Sequence, residues 1–143
     1  FTADVDLLIE EKQVAAWYEW LSSLGYEIFY RHPNFLQLRA PHELPPVDLM
    51  LVDADTFSKL RAGAVHVVAG GVELPAPKVE HLVALKLHAT KTRPRETVEK
   101  DWLDIFQLMK QHGLRLSTPG FRAIVEGYGG QAAINRISEV FGE

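Results

Sequence analysis

FTADVDLLIE (residues 1–10) and PVDLMLVD (residues 46–53) are the two stretches on which the reading of this chain turns. In the first, Val5, Leu7 and Ile9 fall on one face of a strand, and Asp4, Asp6 and Leu8 on the other. The two carboxylates thus share a face, roughly 7 Å apart at the Cα level. Two anions that close repel unless a positive charge sits between them. The second stretch is a nearly continuous apolar run, as suits a strand buried on both faces. Asp48 inside it needs a partner. A divalent cation answers both needs. Mg²⁺ takes oxygen ligands and is commonly held by one or two carboxylates plus substrate phosphates. A third acid on a neighbouring strand completes a two-metal site or deprotonates an attacking hydroxyl. The plainer explanation is a wet strand face that carries acids near its end. Asp53 and Asp55 read as strand-end and helix-cap residues.

Working outward, the chain has 143 residues, 47% hydrophobic and 24% charged, the mix of one ordinary domain with a real core. A net charge of −4 gives no global pull toward nucleic acid, so such binding requires a local basic patch. With no cysteine, disulfides and thiolate metal sites are excluded. No apolar run reaches the roughly 18 residues of a membrane span, and no signal-peptide pattern opens the chain. The expected location is the cytoplasm, with no membrane partner.

Residues 11–24 carry Val14, Trp17, Tyr18 and Leu21 at helical spacing, with Gly25 as the stop. YEIFY (26–30) and FLQLRA (35–40) read as strands around an RHPN turn. A short helix is expected over 56–61, then a hairpin in which VHVVA and VELP flank Gly70-Gly71. From Pro77, placed at the first helical position, the chain turns helical: 78–90, 96–111 ending at Gly113, then 118–127 and 130–141 around a GYGG turn. The organisation expected is an αβ core over 1–76 and a helical part over 77–143, packed as one unit. No internal repeat occurs.

Winding the helices exposes a second anomaly. Over 78–90, Val79, Leu82, Val83, Leu85, Leu87 and Ala89 span a broad apolar arc with Lys86 at its middle. Ala84, His81 and His88 fall opposite. In the next helix Asp101 lies inside the arc of Val98, Trp102, Ile105, Phe106, Leu108 and Met109, with Asp104 at its edge. One reading is a buried Lys86–Asp101 pair that adds little net stability but is costly to break. The other has both line a cleft where Lys86 meets substrate phosphate. His81 and His88 share a helix face without a third ligand and read as solvated rather than zinc-binding. Arg31, Arg39, Arg61, Arg93 and Arg95 read as surface charge that could border a cleft. Trp17 and Trp102 read as core.

In order, the segments FTADVDLLIE, PVDLMLVD, HLVALKLHATKTR and EKDWLDIFQL resemble the AbiEii/AbiGii group of nucleotidyltransferase-like toxins, within the DNA polymerase β-type nucleotidyltransferase superfamily. The resemblance covers roughly residues 1–112. It implies an α+β fold: a mixed sheet with flanking helices, followed by a helical segment. It further implies Mg²⁺ held by Asp4, Asp6 and Asp48, catalytic roles for these with Lys86 and Asp101, and substrate contacts from Thr2, Lys86 and Arg93. The implied reaction moves a nucleoside monophosphate from an NTP to an RNA (such as a tRNA) or protein hydroxyl, with a separately encoded antitoxin as partner. The superfamily also carries a Gly-Gly or Gly-Ser motif on a helix before the D-x-D strand; here that motif either lies upstream of Phe1, about ten to twenty residues before it, or is lacking. The alternative is a nucleotidyltransferase-like module that binds a nucleotide or a partner without catalysis.

Overall fold

Strand pairing follows the alternation read in the sequence. The computed structural model describes residues 4–40, 44–91 and 95–143. The chain divides into two units, 1–62 and 63–143. The change from strands to helices at residue 76 therefore falls inside the second unit.

The first unit is a four-stranded mixed sheet. Its strands are β1 (Val5–Glu10), β2 (Glu27–His32), β3 (Phe35–Arg39) and β4 (Val47–Val52), in the order β1-β4-β3-β2. β1 runs parallel to β4, and the other neighbours are antiparallel. The β1–β4 ladder begins at Val5↔Val47, and the Val5 N–H donates to the Pro46 carbonyl at 2.9 Å. Pro46 has no N–H with which to continue it. Asp4 therefore lies just before the strand rather than in it, one residue short of the expected range.

A single 3₁₀ turn (Glu11–Gln13) leads into helix α1 (Val14–Ser23). Val14, Trp17 and Leu21, at i, i+3 and i+7, pack on Ile9, Leu36, Leu38, Val47 and Leu49. The helix stops where expected. Gly25 adopts φ 89, its N–H bonds to the Ser22 carbonyl, and the Tyr26 N–H reaches back to Leu21. Only one face of the sheet carries this core. The expectation that β4 is buried on both faces is corrected: Val47 and Leu49 are buried, but Asp48 and Met50 on the other face are only half-buried. Helix α2 (Ala54–Ala62) is capped by Asp53, whose Oδ1 accepts from the Thr56 N–H at 2.7 Å. That bond holds the Asp53 carboxyl below its ordinary value.

The second unit opens with a hairpin, β5 (Val65–Ala69) and β6 (Val72–Ala76). Gly70 and Gly71 take φ 58 and 79 at its two-residue turn, which a side chain would resist. The register sets Val65, Val67 and Ala69 beside Ala76, Leu74 and Val72 on one face. His66, Val68, Glu73 and Pro75 occupy the other. Nearly all of these residues are exposed, and His66 Nδ1 meets Glu73 Oε1 at 2.9 Å.

Helices α3 (Val79–Thr90), α4 (Arg95–His112) and α5 (Phe121–Phe141) follow. Lys78 is the extended N-cap of α3, so Pro77 precedes the cap instead of taking the first helical position. Val83, Leu87, Trp102, Ile105, Met109, Phe121, Val125, Ile134 and Ile137 form the core. Ala84, which winding placed on the outer side of α3, is buried. Leu82 and Leu85 are apolar as well, so the pattern had no unique centre. Gly113 ends α4 with φ 66, and the Leu114 N–H reaches back to Met109. The two expected terminal helices are both present, as two segments of α5 separated at Gly130, whose φ of 71 and ψ of −173 only glycine adopts readily. At Gly129 a Cβ would come within 2.4 Å of Ala133 Cβ and 3.1 Å of Leu87 Cδ2, so α3 and α5 approach closely there.

Candidate functional site: an acidic row on the open face of the sheet

The face of the first unit's sheet opposite α1 carries the acids. In the parallel register Asp6 pairs with Asp48, and in the antiparallel register Asp48 pairs with Gln37. Gln37 pairs in turn with Tyr30. One row thus crosses all four strands: Asp6, Asp48, Gln37, Tyr30. A second row, Leu8, Met50, Phe35 and His32, runs beside it. Adjacent strands lie about 4.8 Å apart, so the Asp6 and Asp48 carboxylates project side by side. Asp6 is exposed and Asp48 half-buried. The Gln37 Nε2–H donates to Asp48 Oδ2 at 3.0 Å. That bond turns one carboxylate oxygen toward β3 and leaves Oδ1 for another partner.

The strand pattern of 1–10 indicated Asp4 and Asp6, and the apolar run of 46–53 indicated Asp48. Their register brings Asp6 and Asp48 together. Asp4, exposed, sits just outside the ladder. Thr2 and Arg93 lie outside the described residues. Among the described residues, no three His, Asp or Glu side chains cluster closely enough to enclose a metal ion by themselves. The donor set still suits Mg²⁺, because adjacent hard carboxylate oxygens provide the protein's share of a coordination shell that substrate phosphates fill.

Gln37 escaped the sequence reading. F-L-Q-L-R does place it on the polar side of its strand. Only the pairing of β3 with β4 shows which acid it serves.

In the second unit, Lys86 on α3 meets α4. Its Nζ lies 2.6 Å from Asp104 Oδ2 and 3.7 Å from Asp101 Oδ1. Asp101 is 3% exposed, whereas the Lys86 side chain keeps 32% of its exposure. The expected Lys86–Asp101 pair exists, but Asp104 makes the shorter contact. Asp101 and Asp104 are three residues apart on one helix face; Asp101 lies inside the apolar arc and is buried, whereas Asp104 at its edge is half-buried and closer to the ammonium. His81 Nδ1 is buried without a hydrogen-bond partner among the described residues. Burial first, and the Lys78 charge second, push the His81 imidazole below its ordinary value.

Two surface depressions lie away from the acids. One, of about 400 Å³, is lined by Val14, Arg31, His32, Pro33, Leu36 and Leu51. The other, of about 170 Å³, lies on the hairpin. We place the candidate site at the acids because the chemistry there is specific, and neither depression contains Asp6 or Asp48.

No family model matches the chain, and no curated protein matches it at a significant level. Among solved structures, the chain is similar to an antigenic nucleotidyltransferase-like protein from Paracoccidioides brasiliensis. The TM-score is 0.52 at 14% identity, over 96% of this chain and 70% of that one. At that identity the likeness is one of fold. The fold is α+β and nucleotidyltransferase-like: a mixed sheet with flanking helices. Among the described residues, no helix is long and apolar enough to cross a membrane.

Proposed function

We propose that this chain is a Mg²⁺-dependent nucleotidyltransferase that moves a nucleoside monophosphate from an NTP to an acceptor hydroxyl. The observation that carries this reading is the Asp6↔Asp48 pairing on the open face of a nucleotidyltransferase-like sheet. In the reaction the acceptor oxygen bonds to the α-phosphorus, the α–β phosphoanhydride bond breaks, and pyrophosphate leaves. Asp6 and Asp48, with Asp4 beside the strand end, hold the metal. When bound, Mg²⁺ offsets charge on the phosphate oxygens and orients the triphosphate. Asp48, its carboxylate oriented by the Gln37 amide, would also assist in activating the acceptor hydroxyl. The resemblance quoted above supports a nucleotide-phosphate role for Lys86, which Asp101 and Asp104 hold within the second unit. Thr2 and Arg93 belong to the substrate side of this reading.

The ordered motifs quoted above support a toxin of the AbiEii type, with a separately encoded antitoxin and an RNA such as a tRNA, or a protein, as acceptor. The test is to incubate the protein with each labelled NTP, Mg²⁺ and total RNA, and to separate RNA from protein. Label is expected on an acceptor, and Asp6→Asn is expected to abolish it. Mg²⁺-coupled NTP binding without transfer would replace this reading with the nucleotide-binding module. Transfer that survives Asp6→Asn and Asp48→Asn would sink it.

A further inference from the structure

The end of the open face farthest from Asp6 is aromatic. Phe35 of β3 lies between two rings of β2. The Tyr30 centroid is 5.5 Å away at 29° between planes, and the His32 centroid is 5.0 Å away at 28°. Tyr30 and His32 stand two residues apart, so all three rings rise from the same face as a single stack. The register of β2 against β3 shifts between Ile28 and Tyr30, the signature of a bulge. Bulges re-aim side chains and recur beside active sites. Here Phe29 and Tyr30 are consecutive and both exposed, at 57% and 48%. The Arg39 guanidinium lies 3.5 Å from the Phe29 ring centroid. Large aromatic side chains are rarely left so open unless something covers them.

The neighbouring acids narrow what can cover them. A protein helix laid on this face would take Asp48 and Gln37 out of water along with the rings, and burying a carboxylate is costly. A single-stranded nucleic acid matches both halves of the face. Its bases are flat and apolar and stack on aromatic rings and on guanidinium planes. Its phosphates suit Arg39, and its free hydroxyl suits the acids. The row from Tyr30 to Asp6 spans three strand spacings, roughly 14 Å, the scale of a few nucleotides.

We propose that the Tyr30–Phe35–His32 stack, with Arg39 over Phe29, is a base-stacking platform that seats the unpaired end of an RNA acceptor. The platform rests on the transfer reading for its purpose but not for its binding. Binding can therefore be measured in EDTA, with no nucleotide present.

The probe is a fluorescently labelled single-stranded adenine octaribonucleotide, followed by anisotropy. Wild-type protein is expected to bind it. Tyr30→Ala is expected to weaken binding about tenfold or more, the order of one lost base stack. Tyr30→Trp, which keeps a stacking ring, is expected to bind like wild type. Thermal unfolding checks that Tyr30→Ala remains folded, and His32→Ala offers an independent probe of the same stack.

The platform would be overturned by no binding of the octamer, by a folded Tyr30→Ala that binds as well as wild type, by duplex RNA bound equally well, or by a peptide competing for the same rings. If Tyr30-dependent RNA binding is found while no label is transferred, the platform stands and the transfer reading fails. The converse, transfer to RNA undiminished by Tyr30→Ala, overturns the platform alone.

Discussion

The two units handle acids in opposite ways. In the second, Asp101 and Asp104 on α4 are met by the Lys86 ammonium on α3, at 3.7 and 2.6 Å. One ammonium there faces two carboxylates, and it ties two helices. In the first, the Asp48 carboxylate receives a neutral amide from Gln37, and its strand neighbour in the ladder is another aspartate. A neutral donor orients a carboxylate without cancelling its charge. One arrangement therefore joins helices through an ammonium, and the other gives Asp48 a neutral amide donor. Burial agrees with this division, since Asp101 is almost fully buried whereas Asp6 is exposed.

If that contrast is right, substitutions in the two places should separate activity from stability. The largest effect is expected on activity: Asp6→Asn and Asp48→Asn should each lower NTP-dependent label transfer by about a hundredfold or more, the order found for removing one group that stabilises transition-state charge. Both should unfold in urea within about 0.5 kcal/mol of wild type. Unfolding at much lower urea would mean that the acids are structural, and the contrast would collapse.

Lys86→Met should do the reverse on stability. It leaves Asp101 and Asp104 facing each other without their ammonium, and should cost about 3 kcal/mol, the low end for breaking a buried pair because Lys86 is partly exposed. In double-mutant cycles, Lys86 should couple more strongly to Asp104 than to Asp101, by the order of distances. Coupling below about 0.5 kcal/mol for both pairs would show that the bridge does not exist in solution.

Gln37→Leu tests the amide itself. A residue that orients a metal ligand from behind typically changes metal affinity by about 10–100-fold. Calorimetric Mg²⁺ affinity in the presence of a non-hydrolysable NTP should fall toward the lower end of that range, with stability little changed. Unaltered affinity would reduce Gln37 to a surface bond.

The smallest effect concerns His81. Its folded value lies below the ordinary histidine value, so below about pH 6.5 the unfolded chain binds more protons than the native one. Stability should therefore decline as pH falls from the unfolded value toward the folded one. Lys78 lowers the folded value further, and Glu80 opposes it. His81→Leu should flatten that part of the melting-temperature profile, and a profile of unchanged slope would show that His81 contributes nothing to it.

Much of this was legible in the chain before any coordinates. Strand alternation in 1–10 and the apolar run around Asp48 located the acids, and Gly25, Gly70-Gly71 and Gly113 marked turns and helix ends that the structure confirms by their positive φ. These signals are local: one residue type, one backbone conformation. What escaped was relational. Asp48 meets Gln37 only because β3 and β4 pair in one register of several. The bulge at Ile28–Tyr30 shifts which side chains reach the open face, and YEIFY gives no sign of it. On α3, a helix apolar on most sides hid its true inner face, so Ala84 was placed outward. On α4, Asp101 and Asp104 share a face, and only the reach of one lysine chose between them.

Pro75 has a consequence for how this molecule survives at high concentration. The β5–β6 ribbon shows water a continuous apolar side of Val65, Val67, Val72 and Leu74, the composition that recruits further strands into aggregates. A recruited strand needs an unbroken ladder of donors along the edge it joins. Pro75 sits within β6, opposite His66, and supplies no N–H there. Along its β6 edge the ribbon can thus keep its valines without offering a further strand a continuous row of donors.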